Sequence, residues 1–302
     1  MADIAASVLA KLKNKAKASG ISYQQCLQLF FQEEFLRRLA GSPYADNLVL
    51  KGGLFIYTLT NFKSRATVDV DFLMRGLNND LTCMDEIIAK ILAVDTGNDF
   101  VTFKAAKTEP IALQRKYHGV STQIVGFIKN VRVPFQVDIG VGDVIVPKAG
   151  RRKIQTQLEG YTQPAILTYS LESTVAEKLD AILQRFELTG RMKDFYDIYY
   201  LSRAFDFGGL KLQTAIQETL QNRGTAYEKD SFARVLALAD DADMQIKWRY
   251  FIKTLGNPEI HFSEVIRGIQ QFLLPVWEAI VTEDELLCCW SAETSAWHPT
   301  VH

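Results

Sequence analysis

The sequence predicts an α+β protein: a mixed sheet with flanking helices, followed by an all-helical C-terminal half. Three observations predict it. Apolar residues at helical spacing fill roughly the first 40 positions. Short period-two runs, bounded by glycines and polar turns, occupy most of residues 48–139. From about Ser170 the pattern is helical nearly to the end. A length of 302 residues allows two structural units. With 48% hydrophobic and 23% charged residues the mixture is globular, which excludes a disordered, collagenous or low-complexity chain. The 34 Lys+Arg and 35 Asp+Glu nearly cancel, which excludes a highly basic chromatin-type protein but not a local basic groove.

The elements follow in order. Residues 4–18 read as a helix broken at Gly20. Tyr23, Leu27, Phe30, Phe31, Phe35 and Leu39 place an apolar stripe on a second helix. Lys11, Lys13, Lys15 and Lys17 form either a solvated face or an RNA contact. The run Leu48-Val49-Leu50 meets Lys51-Gly52-Gly53 and then a helical segment, 54–59. Residues 67–73 alternate as a strand, 80–94 read as a helix, and 100–107, 121–128 and 131–139 as strands. The last two strands join at Lys129-Asn130. Pro134 cannot donate to a ladder, so its strand is expected at an edge or bulged. A loop over 145–168 carries Pro147, Gly150, Lys148, Arg151, Arg152 and Lys153. It separates the expected domains, 1–160 and 161–302.

Cys26, Cys83, Cys288 and Cys289 contain no CxxC and read as free buried thiols of a reducing compartment. No apolar run reaches 18 residues, and the N-terminus lacks a signal-peptide core. The expectation is a cytoplasmic protein with no membrane association. Trp277, Trp290 and Trp297 are expected to pack rather than to stack on bases.

Chemistry concentrates at Thr67-Val68-Asp69-Val70-Asp71-Phe72-Leu73. On a strand, Val68, Val70 and Phe72 face the core, while Thr67, Asp69 and Asp71 face the other way. Carboxylates at that spacing lie roughly 6–7 Å apart and repel unless a cation sits between them. Mg²⁺ suits the position because it takes hard oxygens and leaves room for phosphates; a solvated acidic edge is the alternative. Gly52-Gly53 precedes a helix start, where bare backbone and N–H groups receive phosphate, with Lys51 beside them. On the strand 131–139, Asp138 shares its face with Arg132 and Gln136. Should that strand pair beside 67–73, a third acid joins the set, which suits two-metal phosphoryl chemistry, where one acid helps activate the attacking hydroxyl. A solvent-facing Asp138 is the other reading.

In the helical half, residues 171, 175, 179, 182 and 186 make one apolar arc. Lys178 lies about 20° outside Leu171 and leans inward, whereas Glu177 and Asp180 point away. Asp194 shares a side with Ile198, Leu201 and Phe205, so it is either a partner for Lys178 or a helix N-cap. Asp197 is less inward and can pair with Lys193 at the surface.

Several segments carry a resemblance. They are Lys51-Gly52-Gly53; Arg65-Ala66-Thr67-Val68-Asp69-Val70-Asp71; Gln136-Val137-Asp138-Ile139 with Gly142-Asp143; Leu171-Glu172-Ser173-Thr174-Val175-Ala176-Glu177-Lys178-Leu179; and Arg191-Met192-Lys193-Asp194-Phe195-Tyr196-Asp197. In that order they resemble the AbiEii/AbiGii-type nucleotidyltransferase toxins, within the DNA polymerase β-like nucleotidyltransferase superfamily, over roughly residues 4–290. The resemblance implies the polymerase β-like nucleotidyltransferase sheet and a Mg²⁺-dependent transfer of NMP from an NTP to RNA, notably the 3′ end of tRNA. It implies a separate antitoxin partner and a toxin–antitoxin or phage-exclusion role. By position it implies that Gly52 and Gly53 hold the triphosphate, that Asp69 and Asp71 bind metal, and that Thr67 supports them. Lys178 would contact the nucleotide phosphates, Asp194 would complete the catalytic set, and Asp138 would be the third acid of the metal site. Gly53 departs from the Ser that many superfamily members carry, and so supplies no hydroxyl.

Overall fold

A computed structural model describes residues 3–111, 119–255 and 259–300. The chain divides into two compact units: residues 1–142 with 149–169, and residues 143–148 with 170–302.

The first unit opens with α1 (Ile4–Ser19), started by the Asp3 carboxylate accepting from Ala6 N–H and stopped at Gly20, φ 74°. In α2 (Tyr23–Ala40) the Ser22 hydroxyl caps the first turn. This helix is buried far beyond its apolar stripe: Gln32, Glu33, Glu34 and Arg37 are all enclosed. Arg37 pairs with Glu33 and Glu34 at i−4 and i−3 and donates to Thr162 O, while Asn98 Nδ2 donates to Glu34. Burial pulls the Arg37 guanidinium down to about 10.

The strands β1 (Leu48–Lys51), β2 (Asp69–Met74), β3 (Thr102–Ile111), β4 (Gly119–Ile128), β5 (Val131–Gly140), β6 (Gly150–Lys153) and β7 (Ala165–Thr168) form one mixed sheet of order β3-β4-β5-β2-β1-β7-β6. Helix α3 (Gly52–Leu59) follows β1 without a break, and α4 (Leu81–Leu92) follows β2. β2 runs parallel to β5, and β1 parallel to β7. One sheet face packs on α2, where Phe35 meets Phe72 and Phe135, and Phe31 meets Phe103.

Three expectations change. β2 begins at Asp69, so Thr67 and Val68 precede it; Val68 is 59% exposed rather than in the core, and its carbonyl accepts from Gln28 and Gln32. β5 is an interior strand. Pro134 is tolerated because it lies two residues before Gln136, the first residue of β5 that pairs with β2. The expected loop at 145–168 holds β6 and β7, and β7 belongs to the sheet because it pairs with β1.

The second unit contains α5 (Leu171–Leu183), α6 (Met192–Ala204), α7 (Gly209–Arg223), α8 (Ser231–Ala237), α9 (Ala242–Thr254) and α10 (Phe262–Thr282). Its end is not helical: β8 (Phe207–Gly208), β9 (Cys288–Ser291) and β10 (Ala296–Pro299) form a small antiparallel sheet. Trp277 and Trp290 are buried, and Trp297 stacks on Phe272, which is packing as expected. The cysteines are free, but Cys26 alone is buried and Cys289 is exposed. Among the described residues no helix is long and apolar enough to cross a membrane.

Candidate active site

In the sheet unit, register assembles the acids. Antiparallel pairing sets Lys51 opposite Asp71, and parallel pairing sets Asp71 beside Asp138 and Asp69 beside Gln136. Directly paired residues share a face, so Lys51, Asp69, Asp71, Gln136 and Asp138 line one side of the sheet. Gln136 Nε2 donates to Asp138 Oδ1 at 3.0 Å, fixing that carboxylate's orientation. The Lys51 ammonium lies 5.2 Å from the centre of the Tyr169 ring.

Gly52 is bound to this arrangement sterically. Its φ is 69°, and a Cβ there would lie 2.1 Å from Asp71 Oδ2. A side chain is therefore excluded twice, by backbone strain and by the carboxylate. At Gly53 a Cβ would lie 3.0 Å from the Thr67 hydroxyl and 3.4 Å from Arg65 Nη2. The start of α3 thus presents bare backbone beside Asp71, Thr67 and Arg65. Lys51, the residue before it, makes no side-chain cap.

The donor set is all carboxylate oxygen, which suits a hard cation. Among the described residues no group of three His, Cys, Asp or Glu could hold a metal by itself. Asp69, Asp71 and Asp138 therefore do not make a closed cage. Asp69, Asp71 and Asp138 are each half-buried, so one side of each remains accessible.

In the helical unit, Lys178 lies inward as its wheel position indicates. Its Nζ is 3.2 Å from Asp194 Oδ1 and 2.7 Å from Asp197 Oδ2. Asp194 and Asp197 are 0% and 1% exposed. Asp197 is therefore a buried partner of Lys178, not a surface partner of Lys193; the two acids sit on one face of α6 at i,i+3. Asp194 is no N-cap, because α6 begins at Met192 and its cap residue is Arg191, whose side chain makes no capping hydrogen bond. Arg191 Nε donates to Asp194 Oδ2 at 2.5 Å. Burial by itself pushes the Asp194 carboxyl up; Lys178 and Arg191 together outweigh it and hold the group below its ordinary value.

Asp180 also corrects expectation. It is 1% exposed and bonded to Arg223 Nη1 at 2.9 Å, because α7 packs on the side of α5 where the wheel placed solvent. Arg223 gathers Asp143 at 2.9 Å and Glu177 at 3.2 Å as well. Burial opposes its charge, but those carboxylates hold it charged well above the ordinary range.

The family model for the nucleotidyl transferase AbiEii toxin of type IV toxin–antitoxin systems matches residues 34–281. The chain belongs to the AbiEii nucleotidyltransferase toxin family. It is therefore a nucleotidyltransferase, in a family that pairs a toxin with an antitoxin. Its fold is also similar to MenT4, a nucleotidyltransferase toxin from Mycobacterium tuberculosis, with TM-score 0.53, 17% identity, and 91% of this chain and 99% of that one covered. A provisionally assigned nucleotidyltransferase from H. pylori has TM-score 0.51 and 13% identity, covering 88% of this chain and 100% of that one. No curated protein matches the chain.

In this AbiEii-family chain, sequence reasoning missed Asp197, Asp180, Arg223 and the buried Arg37 network. Only the last left a local signal, acids three and four residues before Arg37.

Proposed function

We propose that this chain transfers a nucleoside monophosphate from an NTP to an acceptor hydroxyl on RNA, the 3′ end of tRNA being the preferred substrate, and so acts as a toxin countered by a separate antitoxin. The observation that carries the reading is the register that sets Asp71 beside Asp138 and opposite Lys51, with Asp69 on the same face, directly before the side-chain-free Gly52-Gly53 start of α3.

In this reading the acceptor oxygen attacks the α-phosphorus. The α–β anhydride bond breaks, and pyrophosphate leaves with the bonding pair. Asp138 takes the hydroxyl proton at its carboxylate, oriented by Gln136. Gly52 and Gly53 receive the triphosphate on bare N–H groups, Thr67 supports that turn, and Lys51 adds positive charge. Mg²⁺ held by Asp69 and Asp71 would supply charge neutralisation at the phosphates. In the helical unit, Asp194 and Asp197 together hold the Lys178 ammonium. Positioning and electrostatics carry the rate.

The test uses purified protein, Mg²⁺, each α-labelled NTP in turn, and total small RNA or total cell protein as acceptor. Label on small RNA that disappears in Asp69→Asn, with an unchanged melting curve, is the expected result. Full activity in Asp69→Asn sinks the metal assignment. Label on protein instead makes a protein hydroxyl the acceptor, and nucleotide binding without label makes the chain a silent binder.

A further inference from the structure

Register extends the acid-bearing face outward through β5, β4 and β3. Asp138 pairs with Ser121, and Ser121 with Glu109. The next row is Gln136, Gln123 and Lys107; then come Pro134, Val125 and Lys104, and last Arg132, Phe127 and Thr102. The opposite face of these strands carries Phe103, Ile124, Val133, Phe135 and Val137, which α2 and the core cover. The face continuous with the acids is open instead: Lys104, Lys107, Gln123, Arg132, Pro134 and Gln136 are all exposed.

Its chemistry is selective. Lys104 and Lys107 are three residues apart, and a regular strand would send them to opposite faces. The register shift between Ala105 and Lys107 restores both to the open face. Arg132 adds a third cation, about 20 Å along the strand from Asp138. Glu109, the single acid on the outer two strands of this face, pairs with Lys107. Lys104 and Arg132 make no ion pair among the described residues. Half-buried Phe127 lies in the row of Arg132, and no other ring contacts it among the described residues.

We infer that this open face of β3, β4 and β5 is the acceptor platform, and that it carries the RNA backbone toward Asp138 on Lys104, Lys107 and Arg132 with Phe127 as a stacking surface. The inference rests on the RNA reading above and deepens it. Charge complementarity selects the occupant: Glu109 offsets Lys107, which leaves Lys104 and Arg132 as the net positive charge of the rows beyond Asp138, and that suits a polyanion. An acidic-patch requirement on a protein acceptor is the competing demand, and the experiment separates the two.

The test uses the full chain with fluorescently labelled bulk tRNA, titrated at several KCl concentrations. The variants are Lys104→Glu/Lys107→Glu/Arg132→Glu, the matching triple Gln variant, and Asp69→Asn. The expected result is wild-type binding that weakens steeply with salt. The Glu triple should lose at least tenfold in tRNA affinity, and the Gln triple should flatten the log–log salt slope by about two to three. Both should keep wild-type melting and an unchanged KM for NTP. Asp69→Asn should bind tRNA normally while losing transfer. Unchanged tRNA affinity and an unchanged KM for RNA in both triples would overturn the platform and leave the RNA reading standing. Wild-type protein that labels protein and does not bind tRNA would overturn both.

Discussion

The two units place their ionisable groups by opposite means. In the sheet unit, backbone register and a missing side chain bring Asp71, Asp138 and Gly52 together, and the acids remain half-buried. In the helical unit, side chains from different helices converge in the interior: Lys178 between Asp194 and Asp197, and Arg223 among Asp143, Glu177 and Asp180. The first arrangement can lose a carboxylate with little cost to folding, because strand pairing holds it. The second cannot, because each charge there is compensated only by its neighbours. Chemistry and stability are therefore separable at the acid face of the sheet and coupled in the buried clusters around Lys178 and Arg223.

The largest effect should come from Gly52→Ala. The added methyl collides with Asp71 and carries the strain of positive φ, so transfer should fall at least 100-fold in a single-turnover assay. Gly20→Ala sharpens the comparison: its φ is 74°, but nothing lies within 4 Å of the new Cβ. It should pay the same backbone strain, of order 1–2 kcal/mol, and retain transfer. Equal losses of activity in the two variants would mean that strain, not the Asp71 contact, matters at Gly52.

Lys178→Met should leave Asp194 and Asp197 buried without their shared cation and cost about 3–5 kcal/mol in urea unfolding. The acid limb gives the sign independently. The folded-state value of Asp194 is depressed, so its stabilisation is complete above the unfolded value and is lost as pH falls through the lowered one. Asp194→Asn should therefore be destabilised near neutrality and flatten the loss of stability below about pH 4. A wild-type-like acid limb in that variant would remove Asp194 from the network.

The smallest contrast tests where β2 starts. Val70→Ala should cost about 2 kcal/mol, whereas Val68→Ala, two residues earlier in the same alternating run, should stay within about 0.5 kcal/mol. Similar losses would return Val68 to the core.

Much of the sheet unit was legible in its sequence. Period-two alternation located β2, β4 and β5, and the glycines before an apolar helix located the β1–α3 turn. These signals are local, because strand alternation and helix starts are written in neighbouring residues. The start of β2 was not legible: Val68 alternates correctly, but its carbonyl is taken by Gln28 and Gln32 of α2. The helical wheel found Lys178 and Asp194 but sent Asp180 and Asp197 to solvent. A wheel ranks faces by apolarity and has no knowledge of a second helix that buries a charged face against its own ions.

By itself the sequence determined the class of fold, the acid pair of β2, the bare turn of Gly52 and Gly53, and the inward lean of Lys178. Each depends on residues within a few positions of one another, where covalent geometry sets the period. Tertiary structure alone decided that Asp138 stands beside Asp71, that β6 and β7 complete the sheet, that Arg223 gathers three carboxylates, and that a register shift turns Lys104 and Lys107 to one face. Those outcomes depend on pairing between segments far apart in the chain, and pairing is chosen by how much surface the whole molecule buries rather than by any local run.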